Sequence, residues 1–186
     1  MRDGHGKILA TVDQVFVAAG AGASTLLSDL PFVPVRGQAS WTESGALHTA
    51  AAWGGYAVPT RSGLLYGATH DRGDTQTDIR PDDNDRNRAV LEAGLPILAG
   101  QLEGQAVRAR ASLRATVPDQ LPVVGQMPDQ PGLMVLGALG SRGFTLAPLL
   151  AEHLVALSLG RPSSLPRAVI KALEPGRFAE RQRRRS

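Results

Sequence analysis

Apolar residues come in short runs, and glycine or proline ends nearly all of them. Residues 14–19 (QVFVAA) form such a run, stopping at Gly20-Ala21-Gly22-Ala23, which predicts a buried strand entering a tight turn. Ser24 is placed to cap a short helix through Leu30, which Pro31 ends. Upstream, Asp3-Gly4 and His5-Gly6 resemble a hairpin turn without its first strand. Residues 33–41, 51–60 and 63–68 are strand-like, and the breaks at Gly45, Gly54-Gly55 and Arg61-Ser62-Gly63 predict an antiparallel meander. The polar stretch 71–78 predicts a loop. Pro81 suits the first turn of a helix, and Asp82, Asp83 and Asp85 suit the positive end of its dipole. Ala89, Val90, Leu95, Ile97 and Leu98 predict that helix's buried face, interrupted at Gly94-Leu95-Pro96.

Residues 105–116 carry the clearest strand pattern. Val107, Ala109, Ala111, Leu113 and Ala115 alternate with Arg108, Arg110, Ser112 and Arg114, so period two puts three arginines on one face. After a proline-punctuated stretch, residues 133–136 predict another strand, entering a glycine turn at 137–143. Leu146, Leu149, Leu150, Leu154 and Leu157 then predict one buried helical stripe, beginning near Leu146 or Ala147 because Pro148 suits only a first turn. Gly160 suits its C-terminal end.

The 186 residues are 42% hydrophobic and 20% charged, a globular composition that excludes a wholly disordered chain. The longest apolar runs fall short of the roughly 20 residues a membrane span needs, so no membrane partner is expected. Cysteine is absent, which excludes disulfides, thiolate catalysis, zinc–thiolate and iron–sulfur sites. That is compatible with the cytoplasm, the expected location. Net charge is +3 and nearly all the basic residues are arginine. Arg177, Arg181, Arg183, Arg184 and Arg185 crowd the C-terminus, either as a frayed solvated end or as a phosphate-attracting tail.

The strand–glycine turn–helix pattern occurs twice, at 14–28 and 133–159. Glycine lets backbone approach a ligand and helix N-terminal amides favour anions, although packing alone also explains such turns. Ser141 and Arg142 add donors to the second turn, and a buried arginine there would need an acceptor, such as a cofactor oxygen. One arginine of the 105–116 strand is placed to anchor a substrate carboxylate, the alternative being a solvated sheet face. The histidines are scattered and residues 71–85 lack EF-hand order, so no metal is expected. Ser24 and Ser141 have no nucleophile-elbow setting, and Tyr56 and Tyr66 line either a pocket or the core.

Residues 17–21 (VAAGA), 34–38 (PVRGQ), 113–116 (LRAT) with 119–125 (DQLPVVG), and 136–148 (LGALGSRGFTLAP) occur in one order. Together they resemble the C-terminal portion of the D-amino-acid-oxidase-like FAD-dependent oxidoreductases. GALGSRG and residues 173–178 (LEPGRF) make the likeness greatest to the oxidoreductase half of the bifunctional tRNA 5-methylaminomethyl-2-thiouridine biosynthesis proteins. Two features depart from the family: no G-x-G-x-x-G turn is present, and Val117-Pro118-Asp119 stands where Thr-Arg-Asp is usual.

The resemblance implies a mixed α/β fold. Residues 1–31 and 119–186 would form part of a Rossmann-like FAD-binding domain without its N-terminal dinucleotide-binding unit. Residues 32–118 would form an antiparallel-sheet substrate domain. It implies FAD as cofactor and oxidation of a carbon–nitrogen bond of a secondary amine, removing a carboxymethyl group as glyoxylate from a tRNA wobble uridine. A glycine- or sarcosine-type oxidase and an inactive fragment remain alternatives. Arg114 matches the carboxylate anchor, and Gln38 and Tyr56 belong with it on the substrate side. Ala19, Gly20, Ala21, Ser141, Arg142, Gly143, Phe144 and Thr145 match cofactor-binding positions. tRNA is the expected partner, together with the missing N-terminal half on another chain, without which FAD should bind weakly.

Overall fold

The computed structural model describes residues 4–45 and 47–184. Asp3 of the predicted N-terminal turn and Arg185 of the basic tail lie outside them. In chain order the elements are β1 (Val15–Val17), α1 (Ala23–Leu26), β2 (Val33–Thr42), β3 (Ala51–Ala52), β4 (Tyr56–Pro59), β5 (Leu64–Gly67) and β6 (Asp71–Arg72). Helices α2 (Pro81–Gly94) and α3 (Pro96–Gln101) follow, then β7 (Arg108–Thr116), β8 (Val123–Gln126) and β9 (Leu133–Gly137). Helices α4 (Gly143–Ser158), α5 (Arg167–Leu173) and α6 (Arg177–Arg183) come last. The fold is mixed α/β and divides into two compact units, Met1–Val33 with Arg114–Ser186, and Pro34–Leu113.

The first unit is built on a three-stranded sheet ordered β1-β9-β8. β1 runs parallel to β9, with Val17 opposite Val135, and β8 runs antiparallel, with Val124 opposite Leu136. Side-chain alternation explains why both faces are covered. Val123 and Val135 pack with Val17, Ala23, Leu27 and Leu30 on one face. Val124 and Met134 pack with Leu150, Leu154 and Leu173 on the other.

Three local expectations change here. α1 ends at Leu26, and Ser24 Oγ donates back to Ala21 O at 2.9 Å instead of capping it. α4 begins at Gly143, because a 3-10 turn at Gly140–Arg142 feeds it directly, and Pro148 is accommodated inside. Its buried face is Leu150, His153 and Leu154, whereas Leu149 and Leu157 are exposed. His153 rests on Ser163, with Nδ1 2.7 Å from Oγ, and burial pushes the imidazole pKa down. The C-terminus is not frayed through Arg183. It forms α6, whose first residue, Arg177, is 5% exposed.

In the second unit the strands order as β3-β4-β5-β2-β6, and β7 also pairs with β2. β3, β4 and β5 form the expected meander, but Trp53–Gly55 splits residues 51–60 into two strands. Asp71–Arg72, expected in a loop, pairs antiparallel with Val35–Arg36. The strand predicted over 105–116 starts at Arg108. α2, α3 and the residue just after it bury Leu91, Leu98, Ala99 and Leu102 against Ala57, Leu64 and Tyr66.

The buried face of α2 is Asp83, Asn87 and Leu91; Ala89, Val90 and Ile97 point outward. The reason lies on β2, where Arg36, Gln38 and Ser40 present a polar row instead of an apolar one. Asn87 Nδ2 donates to Gln38 O at 2.9 Å and to Ser40 Oγ at 3.0 Å. A Cβ at Gly67, where φ is +141°, would stand 3.2 Å from the Asn87 amide. Glycine there allows the helix to approach this closely.

Candidate functional site

The site is built where two parallel strands end. Because β1 and β9 lie side by side, the turns after them open at the same end of the sheet. Each turn carries a left-handed glycine, Gly20 at φ +56° and Gly140 at φ +58°, and each continues as a 3-10 turn into a helix. Ala138 is left-handed too, at φ +55°, a conformation costing about 1–2 kcal/mol in a residue with a Cβ. Open α/β sheets bind ligands outside the carboxyl ends of such strands. Ala19, Gly20, Ser141, Arg142, Phe144 and Thr145 are exposed, and Ala21 and Gly143 are half-buried.

α4 starts without a side-chain cap and with no acidic residue in its first turn. Its dipole and unfilled amides make that end positive, and Arg142 adds a full charge. Arg142 is exposed rather than buried, and its Nη2 donates to Gln120 O at 2.5 Å. The turn after β9 is thereby tied to the turn before β8.

The end of β7 packs at the same place. A Cβ on Gly140 would meet Thr116 Cγ2 at 3.6 Å, and Thr116 Oγ1 donates to Val33 O at 2.9 Å. Arg114 shares the Thr116 face of β7, about 7 Å back along the strand. Arg108 lies farther along that face, is exposed, and pairs with Glu43 at 2.8 Å.

Asp119 anchors this region from behind. It receives Arg177 Nε at 2.9 Å, Arg177 Nη2 at 3.1 Å, Leu121 N at 3.1 Å, and Arg181 Nη1. Burial raises the Asp119 pKa, but the arginine hydrogen bonds outweigh it and hold the carboxyl at about 2.

The sequence pattern of the DAO family, described as FAD dependent oxidoreductase, matches residues 2–157. The chain is 54% identical over 177 residues to the tRNA 5-methylaminomethyl-2-thiouridine biosynthesis bifunctional protein MnmC of Caulobacter sp. (strain K31), covering 94% of this chain and 30% of that protein. To the protein of that name from Maricaulis maris (strain MCS10) it is 39% identical over 189 residues, covering 99% and 30%. This chain belongs to the DAO family of FAD-dependent oxidoreductases. Its fold is similar to that of iminodiacetate oxidase from Chelativorans sp. BNC1, with TM-score 0.76 and 24% identity over 89% of this chain and 47% of that one. Glycine oxidase from Geobacillus kaustophilus gives TM-score 0.74 and 24% identity, covering 84% and 44%. The chain thus spans about 30% of the length of the bifunctional relatives.

The residues at the strand ends fit the family's cofactor. The uncapped amides of α4 and Arg142 suit an electron-rich ring edge, and the fully exposed Phe144 offers an apolar face beside them. Among the described residues no cluster suited to a metal ion occurs. No helix among them is long and apolar enough to cross a membrane.

Two predicted substrate-side residues, Gln38 and Tyr56, lie in the other unit. Tyr56 is half-buried on β4. Gln38 is completely buried, and its amide is fully engaged within the fold. Oε1 accepts from Arg36 Nη2 and Arg80 N, while Nε2 donates to Arg80 O and Asn84 Oδ1. Gln38 therefore holds the start of α2 and has no group left for a substrate.

Sequence reasoning missed Arg36 and Asp119. Arg36 is wholly buried, 2.5 Å from Asp83, with its Nη2 also on Asp78 O at 2.6 Å. The signal was available in the polar residues of β2, which alternate inward where apolar ones were expected.

Proposed function

We propose that this chain supplies the ring-facing and substrate-anchoring part of an FAD-dependent amine oxidoreductase acting on a carboxymethylated wobble uridine of tRNA. The observation that supports the reading is the closeness of Thr116 to Gly140, where a Cβ on the glycine would stand 3.6 Å from Thr116 Cγ2, near the start of α4, which has no side-chain cap. FAD supplies the two-electron acceptor for oxidation at the carbon beside the amine. Arg114 holds the carboxylate of the carboxymethyl group, orienting the adjacent C–H, and the Ser141–Thr145 segment would help hold the flavin through the positive end of α4. Water then cleaves the oxidised C–N unit, releasing the two-carbon acid as glyoxylate and leaving the primary amine. The 54% identity to a tRNA-modifying bifunctional protein supports tRNA as substrate. A segment outside this chain contributes the pyrophosphate side of the cofactor site, and the cytoplasm is the matching location.

In a flavin-competent protein, Arg114→Ala should lower kcat/KM for carboxymethylated tRNA by at least about a hundredfold, since a bidentate charge pair is worth several kcal/mol. Arg108→Ala should cost under about fivefold, being an exposed pair. Equal losses would remove the reason for singling out Arg114. Free glycine and sarcosine serve as rival substrates in the same assay, and faster turnover of either would favour a small-molecule oxidase.

A further inference from the structure

Positive charge is unevenly placed along this chain. Residues 161–184 hold seven basic residues and two acidic ones, whereas residues 1–160 hold 12 and 15. The basic stretch folds as α5 and α6, both in the first unit. Helix dipoles explain only part of it. Arg181 and Arg183 suit the C-terminal end of α6, but Arg167 opens α5, where the dipole disfavours a cation and the first turn holds no acid. Arg167 and Lys171 are exposed and stand four residues apart, on one face of α5.

The α6 arginines stand on a fixed footing. Arg177, Arg181 and Arg184 fall on one stripe, at spacings of four and three. Arg177 is buried on Asp119, and Arg181 reaches the same carboxylate from a half-exposed position. Two guanidinium groups share one carboxylate, so a positive charge is left over at the surface. Arg184 meets Glu180 at 3.9 Å with both side chains exposed, a pairing that a phosphate can displace at little cost. α6 packs its one aromatic, Phe178, against the core of the first unit, and its exposed residues, Ala179, Arg181, Gln182 and Arg183, include no large apolar side chain. A helix seated on a membrane needs an apolar face, whereas a polar, arginine-rich one suits the phosphates of a nucleic acid. This surface adjoins the candidate site. Asp119 precedes Gln120, whose carbonyl accepts from Arg142 Nη2 at 2.5 Å, so Arg181 and Arg142 bind adjacent residues of one turn.

We infer that Arg181, Arg183 and Arg184, continued by Arg167 and Lys171, hold the sugar–phosphate backbone of the tRNA beside the nucleotide that reacts. Such contacts fix the position of the RNA and supply affinity without reading its sequence. The inference rests on the tRNA reading above and names the face of the first unit on which the RNA lies.

The test measures binding of an unmodified tRNA transcript to the full chain by fluorescence anisotropy at several salt concentrations. Arg181→Gln with Arg184→Gln should weaken binding by at least about fivefold and flatten the slope of log affinity against log salt by about 1.4–1.8, the worth of two phosphate contacts. Arg167→Gln with Lys171→Gln, which leaves the Asp119 anchor untouched, should act in the same direction. Arg61→Gln with Arg72→Gln removes as much charge from exposed positions in the other unit and should leave affinity within about twofold. Circular dichroism checks the fold of each variant. No binding of tRNA by the folded chain, equal losses from all three pairs, or tighter binding to phosphatidylserine vesicles or polyglutamate than to the transcript would each overturn the inference. The flavin reading is separated from it in a flavin-competent protein containing this chain. Bleaching by carboxymethylated tRNA, with affinity and salt slope unmoved by the α5 and α6 pairs, would keep that reading and defeat this surface. tRNA binding that depends on those pairs, without bleaching, would do the reverse.

Discussion

Arg177→Met tests what fixes the region behind the candidate site. Arg177 is 5% exposed and all five of its N–H donors are used. Nε and Nη2 bind Asp119 at 2.9 and 3.1 Å, Nη1 reaches Leu173 O at 2.8 Å and Glu174 O at 3.2 Å, and Nη2 also reaches Leu121 O at 3.1 Å. The guanidinium lies 4.3 Å from the centre of the Phe178 ring. Methionine keeps most of the stem volume but leaves a largely buried carboxylate with only Arg181 as charged partner. Breaking a buried pair from one side costs about 3–5 kcal/mol. At about 2–4 °C per kcal/mol for a chain of this size, the melting midpoint should fall by about 6–20 °C. Adding Asp119→Asn should recover part of the loss, since no unpaired charge then remains. Arg181→Ala, at a half-exposed position, should cost under about 1 kcal/mol. Thermal melts followed by circular dichroism, with urea titrations at low temperature, measure all four proteins. A loss below about 1 kcal/mol for Arg177→Met, or one equal to that of Arg181→Ala, would refute the buried-anchor account.

Acid should weaken the same anchor: the Asp119 pKa is depressed to about 2 in the fold, so its contribution is complete above the unfolded value and disappears as pH falls through about 2. Urea midpoints taken from pH 5 down to pH 2 should fall more steeply for the native chain than for Asp119→Asn. In the other unit, Asp83→Ala leaves the wholly buried Arg36 without its 2.5 Å carboxylate and should destabilise by about 3–5 kcal/mol in the same melts, whereas Asp82→Ala, at an exposed position, should stay within about 0.5 kcal/mol. A loss of FAD affinity without loss of stability after Asp83→Ala would contradict a purely structural role for that pair.

Local patterns made much of this fold legible. The alternation over 105–116 encodes β7 with its arginine face, and the glycine runs after residues 19 and 136 mark the two turns at the sheet end. What periodicity cannot carry is pairing across the chain. Arg177 and Asp119 are 58 residues apart, and Arg36 and Asp83 are 47 apart. Each arginine read alone suggests solvent or a ligand. The polar face of α2 was hidden for the same reason, since Asp83 and Asn87 become core residues only where β2 offers Arg36, Gln38 and Ser40. Pro148 misplaced the start of α4 because the preceding 3-10 turn, which brings the chain in already wound, leaves no mark in hydrophobic spacing. Of the candidate site, the turn residues and Arg114 were readable from the resemblance. The closeness of Thr116 at the end of β7 to Gly140 required the structure.

The measurement that bears most directly on the central claim is anaerobic flavin bleaching in a flavin-competent protein containing this chain, with carboxymethylated and uncarboxymethylated tRNA compared in parallel. Carboxymethylated tRNA should bleach the oxidised flavin band and release glyoxylate in equal amount, uncarboxymethylated tRNA should do neither, and Arg114→Ala should slow bleaching while leaving the flavin bound. Bleaching by free glycine or sarcosine, with carboxymethylated tRNA inert, would contradict the account.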